Sequence, residues 1–380
     1  MQAMDHALQN LVERIRAAAA SGTALRIRGG GTRDFYGQAL QGELLDTRAY
    51  AGVTSYEPSE LVVTARAGTP LAELETLLEQ HGQCLPFEPP HFADDAEGAA
   101  AGHATVGGMV AAGLSGPARA SVGCVRDYVL GASMVSGRGE ALTFGGQVMK
   151  NVAGYDVSRV LTGSLGTLGL ITEVSLKVLP VAPAQASLRF EMNQAAALKA
   201  LNEWGGQPLP LNASCWLPKS GAAGAGHLTV RLRGAVAAVQ AACMKMGGER
   251  LDEVAASQQW QALRNQTHPF FFRPAAAGLC LWRMSVAQSA PVLDLTEAQL
   301  VEWHGGLRWL WAPAADAARI RTAARQAGGH ATLFRCASEA DRNAPVFEPL
   351  TSPLNRIHRE LKTQFDPAGI FNPGRLYADM

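Results

Sequence analysis

The chain has 380 residues, 47% of them hydrophobic and 17% charged, with thirty-three basic residues balancing thirty-three acidic ones. That is enough for two or three domains with buried cores. The charge balance leaves no net field to draw nucleic acid or an anionic membrane surface, so neither is an expected partner.

The first twenty-two residues, "MQAMDHALQNLVERIRAAAASG", place Asp5, Glu13, Arg14 and Arg16 within an apolar pattern. A secretory segment would not tolerate those charges, whereas an amphipathic helix places them on its wet face. No run approaches the roughly 18 apolar residues of a spanning helix. The expectation is a cytoplasmic protein with no transmembrane segment, associated with a membrane at most through a partner.

Next comes the strand-like "ALRIR", followed by "RGGGTRDFYG". Consecutive glycines cost backbone entropy, so the chain there needs φ > 0 or a very close approach to something. The loop is not a dinucleotide fingerprint, because Asp34 falls where a third glycine must stand, and the chain holds no Gly-Lys pair for a P-loop. An anion-binding nest of backbone N–H groups and a plain turn both remain open. "ELVVTARAG" predicts a strand. "TPLAELETLLEQHG" predicts a helix capped by Thr69, with Pro70 in its first turn and Gly82 at its end.

Two further glycine-rich elements follow. "ATVGGMVAAGLSGP" offers Gly107, Gly108, Gly113 and Gly116 beside the Thr105 hydroxyl, and "KNVAGYDVSRVLTGSLGTLGLITEVSLKVLP" packs glycines ahead of a β-branched strand. "DYVLGASMVS" and "GLITEVSLKVLP" read as the strands closing this half, over residues 1–180. After Pro180 the pattern becomes strand, helix, strand, strand, helix, strand, the order of a split βαβ sandwich. It predicts a ferredoxin-like α+β cap over 181–340 with at least two additional strands, serving substrate or a subunit interface. Residues 341–380 read as a helix stopped near Asp366-Pro367 and a tail returning to the first domain.

The six cysteines are dispersed without CxxC, against an iron–sulfur cluster or a disulfide framework, and predict buried free thiols. No histidine pair has the spacing of a helical metal site, so no metal is expected.

Together, "RGGGT", "TVGGMVAAGLSGP", "SVGCVRDYVLGASMVSGRGE", "KNVAGYDVSRVLTGSLGTLGLITEVSLKVLP" and "FDPAGIFNPGRLY" resemble the FAD-binding domain of the vanillyl-alcohol oxidase and p-cresol methylhydroxylase (PCMH) superfamily. Within it the chain is most similar to the FAD-binding subunits of bacterial glycolate oxidases. The resemblance implies an α+β fold, with a PCMH-type domain of two α+β subdomains holding an extended FAD. By that likeness Arg28, Gly29, Gly30, Gly31 and Thr32 form the first pyrophosphate loop, and Thr105, Val106, Gly107, Gly108 and Met109 the second. Gly113, Gly116, Asp127 and Ile171 line the adenosine half or the flavin edge. Thr32 stands where some relatives carry a flavin-linking histidine, which implies non-covalent FAD. The implied partners are a catalytic flavoprotein subunit and an iron–sulfur subunit, acting together on glycolate or a similar 2-hydroxy acid.

Oxidation of a 2-hydroxy acid also requires a base and cations for the carboxylate. Similar dehydrogenases carry H-x-G-D-G-N-x-H, of which "GGHATLFRC" retains at most His330. His330 and Arg335 are the catalytic candidates here, but their strand parity differs, so they share a face only if a bulge intervenes. Arg335, Arg283, His268 and Arg126 read more simply as surface or ion-paired residues, and the tryptophans of "WRM" and "EWHGGLRWLW" as core or interface. Three functions stay open: an FAD subunit of a glycolate oxidase, a self-sufficient D-2-hydroxy-acid dehydrogenase, and an assembly scaffold retaining the fold.

Overall fold

The computed structural model describes residues 6–92, 103–146, 156–219, 224–272, 274 and 278–380. The first half runs α1 (His6–Ser21), β1 (Leu25–Arg28), β2 (Glu43–Asp46), β3 (Val53–Glu57), β4 (Val62–Arg66), α2 (Leu71–Gln80) and β5 (Gln83–Cys84). It continues through α3 (Val106–Ala112), α4 (Arg119–Val122), α5 (Val125–Tyr128), β6 (Val129–Val135), β7 (Ala141–Gly145), α6 (Val157–Val160), β8 (Leu170–Lys177) and β9 (Leu179–Pro180).

Two subdomains result. In the first, β1 and β2 pair in parallel, and α1 lays Leu11, Val12, Ile15 and Ala18 against Leu25, Leu45 and the tail residues Ile370 and Phe371. In the second, an antiparallel sheet of order β3-β4-β8-β6-β7 is covered by α2 and α3, burying Leu71, Leu74, Leu78, Met109 and Val110 against Val63, Ala65, Met134 and Val174. The helix predicted after "ELVVTARAG" begins one residue later than expected, with Pro70 at the N-cap. Thr69 does not cap it, because its hydroxyl is engaged with the Gly52 backbone amide at 2.9 Å.

The cap contains β10 (Ala184–Glu191), α7 (Gln194–Gly205), β11 (Leu211–Pro218), β12 (Gly226–Gly234), α8 (Val236–Met246) and β13 (Glu249–Arg250). After α9 (Glu253–Asn265) come β14 (Leu279–Ser285), β15 (Leu300–Glu302), β16 (Leu307–Pro313), α10 (Ala317–Gln326) and β17 (His330–Arg335). The eight strands form one sheet, β13-β10-β12-β11-β15-β16-β14-β17. Its first four follow the ferredoxin-like order and its last four repeat that order in mirror sequence, with a loop between β14 and β15 in place of the first helix. The two halves join where Cys215 and Trp216 of β11 pair with Glu302 and Val301 of β15. The four strands beyond the basic unit exceed the two that the residue pattern required.

The end of the chain packs back against the first subdomain. After α11 (Leu354–Phe365), Phe371 bridges to Leu25, and the Asn372 side chain accepts from Ile27 N–H at 2.8 Å and donates to the Leu165 carbonyl at 2.6 Å. Lys362, buried in α11, reaches the carbonyls of Thr167 and Phe371 and the Asp366 carboxylate at 2.7–2.8 Å. All six cysteines are free, but only Cys215 and Cys280 are fully buried; the other four are partly exposed, a correction to the buried thiols expected.

Candidate functional site

The three consecutive glycines divide their work. Gly29 and Gly30 lie so close to the 103–105 segment that a Cβ on Gly30 would stand 1.4 Å from the His103 carbonyl oxygen, and one on Gly29 2.2 Å from Thr105 Oγ1. Gly31 instead takes φ +80°, which lets the Arg28 side chain cross directly over it. Two of the glycine-rich elements therefore form touching walls of one cleft of about 80 Å³, lined also by Gly108, Ala111, Ala112, Leu165, Asn372 and Arg375.

The cleft suits an anion. Among the described residues the amides of Gly30, Gly31, Thr32 and Arg33 meet no protein acceptor, and three guanidiniums, Arg28, Arg33 and Arg375, line it against the single carboxylate of Asp34. Arg28 pairs with Asp34 at 2.8 Å. Burial lowers Arg33 and Arg375 to about 10 and pushes Asp34 upward against the pull of Arg28. An excess of positive charge beside unpaired amides, on a wall that excludes side chains, fits a diphosphate.

The second element contributes differently. Thr105 caps α3 by accepting from Gly108 N–H at 3.2 Å, while the amides of Val106, Gly107 and Met109 donate to Thr69, Ala67 and Thr105 carbonyls. Those three amides are committed to the fold, so this element bounds the cleft chiefly through the open surface of Gly108. Gly107 faces away, where a Cβ would stand 2.6 Å from that of Ala67. Gly113 ends α3 at φ +64°.

Asp127 and Ile171 do not line this cleft. Asp127 is exposed and caps α5, accepting from Cys124 N–H at 2.8 Å, a bond that holds its carboxyl below the usual range. The Ile171 side chain is buried in the sheet opposite Met134. The two side chains are thus engaged in local structure, one in a helix cap and the other in sheet packing.

A second, smaller chamber lies where the cap meets the first domain. Gly116, Pro117, Pro90 and Phe92 face Arg283, Glu302, Trp303, Trp309 and Phe334 across it. Gly116 is tight here as well, since a Cβ would stand 2.4 Å from the Glu88 carbonyl, and its own carbonyl accepts from Trp303 Nε1 at 3.0 Å. Glu88 fastens the interface: its carboxylate accepts from buried Arg231 at 2.6 Å and from Ala118 N–H at 3.1 Å. Burial pushes the Glu302 carboxyl up to about 7, partly opposed by the Trp309 Nε1–H bond at 2.8 Å and by the charge of Arg283.

His330 and Arg335 do share a face. Trp282 of β14 faces Leu333 and Leu281 faces Arg335, so Phe334 is the extra residue of a bulge that returns Arg335 to the side of Leu281 and Arg283. Arg335 stacks 3.9 Å from the Phe35 ring beside the first glycine loop. His330 stands at the start of β17, where partial desolvation and then the charges of Arg283 and Arg119 lower its imidazole pKa. Arg283 is no surface residue: its guanidinium sits 5.0 Å from the Trp303 ring and 6.0 Å from that of Trp309. Arg283 and Glu302, which line this chamber, are functional candidates that residue patterns did not mark. No group of three or more metal-holding side chains occurs among the described residues, and no helix there is long and apolar enough to cross a membrane.

The comparisons accord with this geometry. A family model described as an FAD binding domain matches residues 6–145. The chain is 46% identical over 372 residues to "Glycolate oxidase subunit GlcE" of Escherichia coli (strain K12), covering 98% of each. It is 35% identical over 136 residues to a D-lactate dehydrogenase of Anaerostipes hadrus, of whose length it spans only 26%. In fold it is similar to alkyldihydroxyacetonephosphate synthase, with a TM-score of 0.65 at 15% identity over 97% of this chain and 76% of that one. The chain thus belongs to the family of the glycolate oxidase subunit GlcE, FAD-dependent oxidoreductases of the PCMH type that act on CH–OH groups.

Proposed function

We propose that this chain is the FAD-binding subunit of a glycolate oxidase complex that oxidises glycolate to glyoxylate, with electrons leaving through an iron–sulfur partner. The observation that carries this reading is the match to a glycolate oxidase subunit along 98% of both chains, on a molecule whose glycine walls make a cationic cleft. FAD bound there supplies a redox centre able to take up and pass on the electrons of glycolate oxidation. The residues proposed to hold it are Arg28, Gly29, Gly30, Gly31, Thr32 and Arg33 on one wall and Thr105 and Gly108 on the other, with Arg375 and Asn372 from the tail. The free amides and guanidiniums meet the diphosphate, and Gly108 leaves room for it. Thr32 offers no nucleophile of the histidine kind, so the cofactor is held without a covalent bond.

A separate catalytic flavoprotein subunit accords with the missing H-x-G-D-G-N-x-H. The dispersed cysteines of this chain accord with an iron–sulfur centre carried elsewhere. Association with a membrane runs through those partners.

The test is spectroscopic. The purified chain is expected to show a flavin spectrum, release its flavin on acid precipitation, and be reduced by glycolate under anaerobic conditions only when the partner subunits are added. A colourless chain would sink the cofactor role, and full bleaching without partners would make it a self-sufficient dehydrogenase.

A further inference from the structure

The last helix is covered along only part of its apolar face. Leu354, Ile357, Leu361 and Phe365 fall three or four residues apart in α11 and so form one stripe. Leu361 and Phe365 pack against the core of the five-stranded sheet, but Leu354 and Ile357 remain 49% and 43% exposed. Val160 of α6, which lines the same hollow as Leu361, is 38% exposed.

Beside this stripe lie two adjoining hollows of about 390 and 230 Å³, which share Phe347, Leu376, Tyr377 and Met380 and make one groove. Single apolar side chains on a surface need no explanation, whereas a stripe that runs into an apolar groove marks a contact. Of the two arginines lining the larger hollow, Arg159 pairs with Asp156 at 3.0 Å. Arg126 is exposed there, with neither a hydrogen bond nor an ion pair among the described residues. In the smaller hollow Asp379 is already matched by Arg359. Aliphatic side chains beside one carboxylate would complete this surface.

The groove and the cationic cleft share a wall. Leu165, Asn372 and Arg375 line the cleft, while their neighbours Ser164, Thr167, Leu376 and Tyr377 line the groove. A protein seated in the groove therefore stands one loop's thickness from the cleft, and electron transfer slows steeply with distance.

We infer that this groove is the docking site of the iron–sulfur partner, which lays aliphatic side chains along Leu354, Ile357 and Val160 and sets a carboxylate against Arg126; this rests on the proposed glycolate oxidase complex. An apolar centre with a complementary charge at its rim is the composition of a specific protein interface.

The FAD-loaded full chain is titrated by calorimetry with the purified iron–sulfur subunit. Binding is expected, weakened at least tenfold by Ile357→Arg and by Val160→Arg and severalfold by Arg126→Glu, with flavin content unchanged in each. Met244→Arg, at an 80% exposed side chain of α8, is expected to bind as the wild type does. In the wild-type complex, amide hydrogen exchange over residues 354–361 is expected to slow, which requires no variant to fold. Unchanged affinity in Ile357→Arg, or unslowed exchange over 354–361, overturns the inference. So does self-association of the chain alone that Ile357→Arg abolishes, since the groove then holds a second copy. Failure of the wild-type chain to bind the iron–sulfur subunit overturns the proposed complex and the inference with it, whereas binding that ignores these substitutions overturns the inference alone.

Discussion

Replacing Glu302 by Gln should stabilise the protein in a pH-dependent way. The carboxyl is buried beside Trp309, drawn down by Arg283 and pushed up by Glu88, and burial prevails, taking it from 4.5 to about 7. The unfolded chain releases this proton near 4.5 and the folded chain near 7, so between those values the folded state binds more protons. Stability therefore falls as pH rises through that window, and the penalty is complete above pH 7. The full displacement corresponds to roughly 3 kcal/mol, of which less than about 1 is felt at pH 5. Glutamine keeps an oxygen for the Trp309 N–H and cannot ionise. Urea denaturation of both proteins at pH 5 and pH 8 should show the variant's advantage widening by roughly 2 to 3 kcal/mol at the higher pH. An advantage of the same size at both values would refute the claim that a desolvated, ionisable carboxyl is its source.

The adjacent glycines of α3 should separate binding from folding. Gly108→Leu should empty the cleft of flavin with little change in melting temperature, whereas Gly107→Leu, driven into Ala67, should lower it; flavin-to-protein ratio and thermal melts read the two. Gly30→Ala should abolish flavin retention, because its methyl falls on the His103 carbonyl. Glu88→Ala leaves Arg231 buried without its partner and should cost about 3–5 kcal/mol in denaturant unfolding. Asp366→Ala removes the counter-charge of Lys362 and the side-chain acceptor of the Ile370 and Phe371 amides. It should expose the tail to proteolysis and weaken flavin retention, since Asn372 and Arg375 line the cleft.

Most elements were legible in the residues because they rest on local signals. "HATLFR" and "GLRWLW" alternate at strand spacing, and Gly82 and Asp366 end their helices where the pattern stops. What escaped were features set by distant contacts. Thr69 looked like a cap until Gly52, seventeen residues away, engaged its hydroxyl. The bulge at Phe334 has no signature of its own, being a matter of register against β14, yet it decides that His330 and Arg335 share a face. Arg283 resembled any surface arginine, since nothing nearby in the chain reveals that Trp303 and Trp309 will enclose it.

The sequence by itself determined where the backbone would be bared for close approach, because glycine runs after strands are a local property of the chain. Only the tertiary structure decided how those glycines divide: Gly29 and Gly30 for contact with the opposing wall, Gly31 for its left-handed turn, Gly107 for packing and Gly108 for the cleft. It alone also decided which charges would be buried. Pairing and burial depend on which distant elements meet, and in this molecule they meet at the seam between the FAD-binding domain and its cap.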